Sequence, residues 1–359
     1  MPNRDPHFSN ALIAWYLENK RDLPWRLTKD PYRVWLSEII LQQTRVAQGM
    51  PYYLAFIDAF PTVNDLAAAP EEKVLKLWQG LGYYSRARNL HAAAKMVVYQ
   101  YKGQFPTTYK ELLQLKGVGD YTASAIASFC FDQVTAVVDG NVYRVLSRVF
   151  GIDIPINTTA GIKTFKALAQ ALIPPDDPAT FNQALMEFGA LQCTPKNPEC
   201  NQCIFQHKCE ALAQDQIQQL PVKLKKTKVK HRYLHYFFIR SEDNKTLLQQ
   251  RQGKGIWQGL YEFPLIETPT LIDLGGPEGV RFRESVNQQN PFDQLEVLEL
   301  SPYNDSPIIH KLSHQHLYTT FWVVEVGNLG DNAIAITELE NFAVPVLIAN
   351  FIKAILKTN

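Results

Sequence analysis

Hydrophobic and polar positions recur with a helical period through most of the first 215 residues of this 359-residue chain. In "DPYRVWLSEIILQQTRV", Trp35, Leu36, Ile39 and Ile40 fall at helical spacing, with Asp30 and Pro31 as N-cap and first-turn residues. "APEEKVLKLWQGLGYYSRARNLHAAAKMVVYQYKG" reads as two helices parted at Gly80 and Gly82 and ended by Gly103. "PTTYKELLQLKGVGDYTASAIASFCF" reads as a helix, a Gly-Val-Gly hairpin and a second helix, and "NVYRVLSRVFG" and "DPATFNQALMEFGALQC" continue the pattern. The region is all-α. From Tyr233 the texture changes to short β-rich runs, "YLHYFFIR", "KTLLQQR", "LYEFPLI" and "LYTTFWVVEV", and "PVLIANFIKAILK" closes the chain as a helix. An α+β domain therefore begins near residue 232. Before it, "LPVKLKKTKVKHR" carries five lysines between 223 and 230 without an apolar face and reads as an exposed connector.

Composition adds limits. With 46% hydrophobic and 20% charged residues, the chain is soluble and globular, long enough for two or three domains. No apolar run would span a bilayer, and "MPNRDPHFSNALIAWYLENK" lacks the pattern of a secretory signal, so a cytoplasmic, reducing setting and no membrane partner are expected. The net charge of +1 hides an asymmetry. Residues 1–230 hold 26 Lys+Arg against 20 Asp+Glu, and residues 231–359 hold 10 against 15. A polyanion suits the first part.

Cys193, Cys200, Cys203 and Cys209 fall in "CTPKNPECNQCIFQHKC", with six, two and five residues between them. In a reducing compartment such a cluster points to metal ligation, and the spacing fits zinc or an iron–sulfur cluster. Cys130, on an apolar helix, reads as core. Gly117 and Gly119 let backbone N–H groups at a helix N-terminus approach an anion, which a plain turn would not require. Asp120 reads as the cap of the next helix. Glu38 is flanked by Trp35, Leu36, Ile39, Ile40 and Leu41, surroundings that raise a carboxyl pKa if its face is buried. Asp139, before Gly140, reads as the cap of a helix beginning near Asn141.

"LKGVGDYTA", then "VVDGNVYRVLSR", then the four cysteines resemble the helix-hairpin-helix DNA glycosylase superfamily. Within it, "VWLSEIILQQTRV" and "LWQGLGYYSRARNLH" resemble the A/G-specific adenine DNA glycosylases, over nearly all of residues 5–225. The resemblance implies an iron–sulfur helical module over 1–29 and 134–215, a six-helix barrel module with the hairpin over 30–133, a basic linker over 216–231 and a Nudix-like lesion-recognition domain over 232–359. It implies a [4Fe–4S] cluster on Cys193, Cys200, Cys203 and Cys209. It further implies a monomeric repair enzyme, acting on the nucleoid, that excises adenine opposite 8-oxoguanine or guanine in double-stranded DNA.

Residue by residue, the resemblance makes Glu38 the acid that protonates adenine at N7. Asp139 becomes the carboxylate that stabilises the cationic sugar, with Asn141 a polar neighbour of the catalytic groups. Two carboxylates in unlike environments suit such a cleavage. Arg26, Leu41 and Gln183 match the adenine pocket, and Gln43 and Tyr83 match residues that wedge into the duplex. Thr44 joins the DNA-binding set, and Gly117, Val118 and Gly119 grip the DNA backbone. Tyr121 stands where strand-cutting relatives carry a lysine. A phenol forms no Schiff base, which implies base removal without strand cleavage and argues against a pyrimidine-lesion glycosylase/lyase. A non-catalytic zinc-stabilised DNA-binding module would leave Glu38 and Asp139 unexplained.

"LLQQRQGKGIWQGLYEFP" resembles the opening of a Nudix domain, but "LIETPTLIDLGGPEGVRFRESV" lacks the metal-binding glutamate array that would follow. Lesion reading, not pyrophosphate hydrolysis, is implied. Ser313 and His314 in "KLSHQH" match a lesion-reading loop in which Leu312 stands for an aromatic. His310, His314 and His316 also fit a merely alternating strand.

Overall fold

Local chemistry sets the helix that carries Glu38. Asp30 is extended and its carboxylate accepts the Tyr32 amide, Pro31 takes the first turn, and a helix runs over Pro31–Leu41. Every residue from Val34 to Ile40 is buried, so the amphipathic stripe has become a helix enclosed on all sides. The computed structural model describes residues 6–224, 229–286, 292 and 295–358. In chain order the first helices are α1 (Pro6–Asn19), α2 (Pro31–Leu41), α3 (Val46–Ala59), α4 (Val63–Ala68), α5 (Glu71–Leu77) and α6 (Ser85–Gln100). Then follow α7 (Tyr109–Leu112), α8 (Asp120–Phe131), α9 (Gly140–Val149), α10 (Thr159–Leu172), α11 (Pro178–Leu191) and α12 (Glu210–Ala213).

The chain divides into two units, Met1–Ala68 with Asn89–Lys225 and Ala69–Arg88 with Lys226–Asn359. In the first unit, α1, α9, α10 and α11 share a core built on Leu12, Leu146, Phe165, Phe181 and Phe188, joined by Phe205 from the cysteine loop. A second packing group sets α2 against α3 and α8. The cysteine loop thus rests on the same core as the helix bearing Asp139 at its cap.

The second unit is organised by two long strands, β1 (Lys230–Ser241) and, after six shorter ones, β8 (Gln315–Val326). They pair in parallel, with Tyr236 opposite Phe321 and Phe237 opposite Trp322. β5 (Leu265–Thr268) flanks β1, while β6 (Val297–Pro302) and β7 (Ile308–Lys311) flank β8, all antiparallel. Successive side chains leave opposite faces. Phe237, Ile239, Trp322 and Val324 pack on Phe282 and Val286 of α13 (Pro277–Val286). Phe238 and Phe321 meet Phe351 of α14 (Val346–Thr358) on the other face. That double burial explains the unbroken apolar runs "YFFI" and "FWVV".

Two boundaries differ from the sequence expectation. Residues 69–88, inside the span 30–133, fold with the second unit: the Lys76 ammonium donates to the Phe342 carbonyl at 3.0 Å and the Tyr84 hydroxyl to the Val344 carbonyl at 3.4 Å. The expected linker over 216–231 is partly folded. Leu220 is buried, the Ile156 amide donates to the Val222 carbonyl at 3.0 Å, and Lys230 already belongs to β1. Lys225, Lys226 and Lys228 of the lysine run lie outside the described residues.

Candidate active site

A cavity of about 650 Å³ in the first unit is lined by Arg26, Glu38, Leu41, Thr44, Tyr121, Asp139, Asn141 and Gln183, together with Arg21, Arg144 and Glu187. Residues that sequence separates by more than a hundred positions therefore share one wall. Glu38 comes from the enclosed face of α2, Tyr121 from the first turn of α8, Asp139 from the cap of α9 and Gln183 from α11.

The two carboxyls stand in unlike surroundings. Glu38 is 8% exposed, and burial pushes its pKa up to about 7 against the pull of a Tyr121 hydroxyl that donates to it. The nearby Asp139 charge pushes the same way as burial, and Arg26 pulls with Tyr121. Burial also raises Asp139, but three hydrogen bonds hold its charge. Its Oδ1 accepts the Val142 amide at 2.8 Å, its Oδ2 accepts the Asn141 side-chain amide at 2.7 Å, and the Asn141 backbone amide adds to them. The cap read from the sequence and the cavity carboxylate are thus one group.

Asn141 is held in turn by Arg144. One Arg144 nitrogen donates to the Asn141 carbonyl oxygen at 2.8 Å and to the Gly189 carbonyl at 2.6 Å, and its Nε donates to the Cys193 carbonyl at 2.7 Å. At Gly189 an added Cβ would lie 2.6 Å from the Cβ of Asn141, so only glycine lets α11 approach this close. Arg144 ties the cysteine loop to the neighbour of Asp139, a link the sequence did not reveal.

Glu187 was also missed. It is 1% exposed on α11, and its carboxylate takes paired hydrogen bonds from Arg21 at 2.6 and 2.8 Å and from Arg26 at 2.7 and 2.8 Å. Burial alone would raise its pKa, but the two guanidiniums overcome that and bring it to about 2. The result fixes Arg26 at the cavity wall. Gln183 is fixed likewise, accepting the Tyr16 hydroxyl at 2.6 Å. The legible signal was a lone acid in the apolar run "NQALMEFGALQ".

Gln43 and Tyr83 lie elsewhere, each in its own unit. Both have left-handed backbones, with φ of 56° and 48°, a conformation that side chains other than glycine rarely take. Gln43 is exposed just beyond α2. Tyr83 is 46% exposed whereas adjacent Tyr84 is 5% exposed, so the two tyrosines do face different ways. Tyr83 shares a cavity of about 590 Å³ in the second unit with Arg88, Arg232, Trp257, Ser313 and His314. The Ser313 hydroxyl lies 3.3 Å from the His314 Nδ1.

In the hairpin, Gly117 has φ of 75°, and a Cβ there would meet the Asn89 Cβ at 2.6 Å. The fold demands this glycine. Gly119 is different: its backbone is extended, with φ of −96° and ψ of −178°, and a Cβ would meet nothing within 4 Å. Val118 between them is buried. The expected cap is corrected here. Gly119, not Asp120, occupies the cap position of α8, because Gly119 is the last extended residue and its carbonyl accepts the Ala123 amide, while Asp120 is already helical and its carboxylate bonds Tyr109 and Lys166.

Cys193, Cys200, Cys203 and Cys209 are free thiols on a loop of short turns. Burial lifts Cys203 to about 11, and the charges of the other three add to that, so the four sulfurs stand within electrostatic reach of one another. The Arg148 guanidinium donates to the Cys193 Sγ at 3.4 Å and the Phe205 amide to the Cys203 Sγ at 3.4 Å. Four thiols on one loop, two of them already accepting N–H donors, are the donor chemistry an iron–sulfur cluster uses. Among the described residues, no three His, Cys, Asp or Glu are close enough to hold one metal ion.

Among the described residues, no helix is long and apolar enough to cross a membrane. Residues 36–174 match the HhH-GPD superfamily of base excision DNA repair proteins, and residues 235–354 match the NUDIX domain. An adenine DNA glycosylase of Buchnera aphidicola subsp. Baizongia pistaciae is 34% identical over 320 residues, covering 88% of this chain and 86% of that protein. The Homo sapiens adenine DNA glycosylase is 47% identical over 222 residues, 59% of this chain and 41% of that one. Among solved structures, a thermostable thymine-DNA glycosylase superposes with a TM-score of 0.54 at 31% identity, covering 58% of this chain and 96% of that one. An endonuclease III–DNA complex, at 21% identity and a TM-score of 0.51, covers 58% of this chain and 95% of that one and shares the fold. By its match along most of a curated relative, this chain belongs to the adenine DNA glycosylases, base-excision repair enzymes with a helix-hairpin-helix region followed by a Nudix-like domain.

Proposed function

We propose that this chain hydrolyses the N-glycosidic bond of adenine paired with 8-oxoguanine or guanine in duplex DNA and leaves an abasic site without cutting the strand. One observation carries the reading: Glu38, a buried carboxyl that keeps its proton to about pH 7, faces the same cavity as Asp139, a carboxylate held by hydrogen bonds. The adenine leaves the base stack at a cost of a few kcal/mol and enters between Arg26, Leu41, Thr44 and Gln183. Glu38 donates its proton to N7, and the C1′–N9 bonding pair leaves with the base. Asp139 stabilises the cationic sugar, water adds at C1′ and gives its proton to the Glu38 carboxylate, and Asn141 keeps the Asp139 carboxylate aimed. Tyr121 steadies Glu38 by its hydrogen bond and, having no amine, forms no imine with the sugar.

Gly117, Val118 and Gly119 present the backbone to a DNA phosphate, a role supported by a glycine at 119 that the fold itself does not require. Ser313 and His314 hydrogen-bond the oxidised guanine, with Leu312 in place of an intercalating aromatic. Cys193, Cys200, Cys203 and Cys209 hold a [4Fe–4S] cluster, which when bound cross-links their loop. The protein works as a monomer on the nucleoid.

A duplex with adenine opposite 8-oxoguanine tests the chemistry. Strand breaks are expected only after alkali; breaks without alkali would establish a lyase, and no base release would leave a DNA-binding protein.

Gln43 gives a second prediction. A left-handed backbone costs a non-glycine residue about 1–2 kcal/mol, so Gln43→Gly should hold or raise the melting temperature, offset in part by the freedom of glycine in the unfolded chain. Base release should fall at least about tenfold, since nothing then fills the space left by the extruded base. A variant that is less stable and equally active would remove Gln43 from the wedge role.

A further inference from the structure

The hairpin carries a misplaced charge. Asp120 follows Gly119 at the first turn of α8, and its carboxylate is 55% exposed. A carboxylate there competes with a phosphate for the positive end of α8 and repels it across a few ångströms. One cation answers it. Lys166, from α10, places its ammonium 2.9 and 3.2 Å from the two Asp120 oxygens. The same ammonium donates to the Ser124 hydroxyl at 3.0 Å and to the Ala136 carbonyl at 2.7 Å, so it is seated and not swinging in solvent. Tyr109 donates its hydroxyl to Asp120 at 2.6 Å from the other side. Its four hydrogen-bond acceptors are oxygens of the protein, three of them from α8, and the ammonium also lies 5.9 Å from the Tyr109 ring centroid.

We propose that Lys166 is a positioning residue for DNA binding: it neutralises and holds Asp120 so that the hairpin can accept a DNA phosphate. It does so without touching DNA. The inference rests on the hairpin's phosphate-binding role proposed above, and a thermodynamic cycle on the full-length protein separates the two. Affinity for an undamaged duplex is measured by fluorescence anisotropy for wild type, Lys166→Gln, Asp120→Asn and the double variant. Lys166→Gln alone should weaken binding about tenfold, by leaving the Asp120 charge without its counter-ion beside the phosphate. Asp120→Asn alone should bind at least as well as wild type, and adding it to Lys166→Gln should restore affinity to within about twofold.

A double variant as weak as Lys166→Gln would overturn the proposal, because Lys166 would then contact DNA itself or support the fold. Melting temperatures and Lys166→Arg, which keeps the charge, distinguish those two. Gly119→Val reports on the hairpin independently: unchanged binding there would remove the phosphate grip, and with it the role of Lys166. Weakened binding in Gly119→Val with no coupling between Lys166 and Asp120 would overturn this inference alone.

Discussion

Glu38→Gln is expected to lose adenine release by at least two to four orders of magnitude and to become more stable than the wild type above pH 7. The two effects have one cause. Glu38 sits in an enclosed helix, so burial lifts its pKa from 4.5 to about 7. Below about pH 4.5 the carboxyl is neutral whether the chain is folded or not, and it costs nothing. Between 4.5 and about 7 the folded protein keeps a proton that the unfolded chain has released, so stability falls as pH rises. Above about 7 the folded protein carries the buried charge, a penalty of about 3 kcal/mol. Glutamine avoids that penalty, and its oxygen still accepts the Tyr121 hydroxyl. It has no proton to give to N7.

The pH dependence of base release follows with the same sign. The acid is lost as Glu38 ionises, so the rate should decline as pH rises through about 7. On the acid side the rate should fall as Asp139 takes up a proton, at a pH above the ordinary aspartate range because burial raises its pKa. Single-turnover rates against pH, with thermal unfolding of both proteins at pH 5 and pH 8, check the whole argument. Equal stability at pH 8, or a Gln variant within tenfold of wild type, would mean that Glu38 is not the buried acid.

The helices were legible because their signals are local. Asp30 caps α2 through a residue two positions away, Gly80, Gly82 and Gly103 bend the chain by their own dihedrals, and Asp139 caps α9 over three residues. The site was legible only through resemblance, since no periodicity brings Glu38 beside Asp139. The residues that were missed act at long range. Glu187 meets Arg21 and Arg26 across more than 160 residues, and Arg144 reaches Gly189 and Cys193 across nearly 50. The misread cap at Asp120 is a shift of one residue: Gly119 is still extended, so Asp120 falls inside the first turn and its carboxylate reaches Tyr109 and Lys166. Residues 69–88 look like their helical neighbours in sequence, yet Lys76 and Tyr84 bond to carbonyls more than 250 residues away.

Asp139→Asn separates the two roles that one carboxylate plays. As a cap, Asp139 accepts the Val142 amide, and asparagine caps a helix about as well. As a partner of Asn141 it accepts an amide N–H, and an asparagine could present nitrogen there instead. Asn141 cannot simply turn over, because Arg144 holds its carbonyl oxygen at 2.8 Å. That conflict costs about 1 kcal/mol, while removal of a buried charge gives some of it back, so the melting temperature should change little. Activity should change greatly. A neutral amide does not stabilise a cationic sugar, and the loss of such preorganised electrostatics is typically worth about 10²–10³ in rate. Asp139→Ala sharpens the contrast: it should lose about 1 kcal/mol of cap as well, with no further fall in base release beyond that of Asp139→Asn. Alkali-developed strand breaks and thermal unfolding, measured on the same preparations, read the two roles apart. If Asp139→Asn released adenine within tenfold of the wild-type rate, Asp139 would be a helix cap that happens to line the cavity, and the charge opposing the sugar would have to come from elsewhere on its wall.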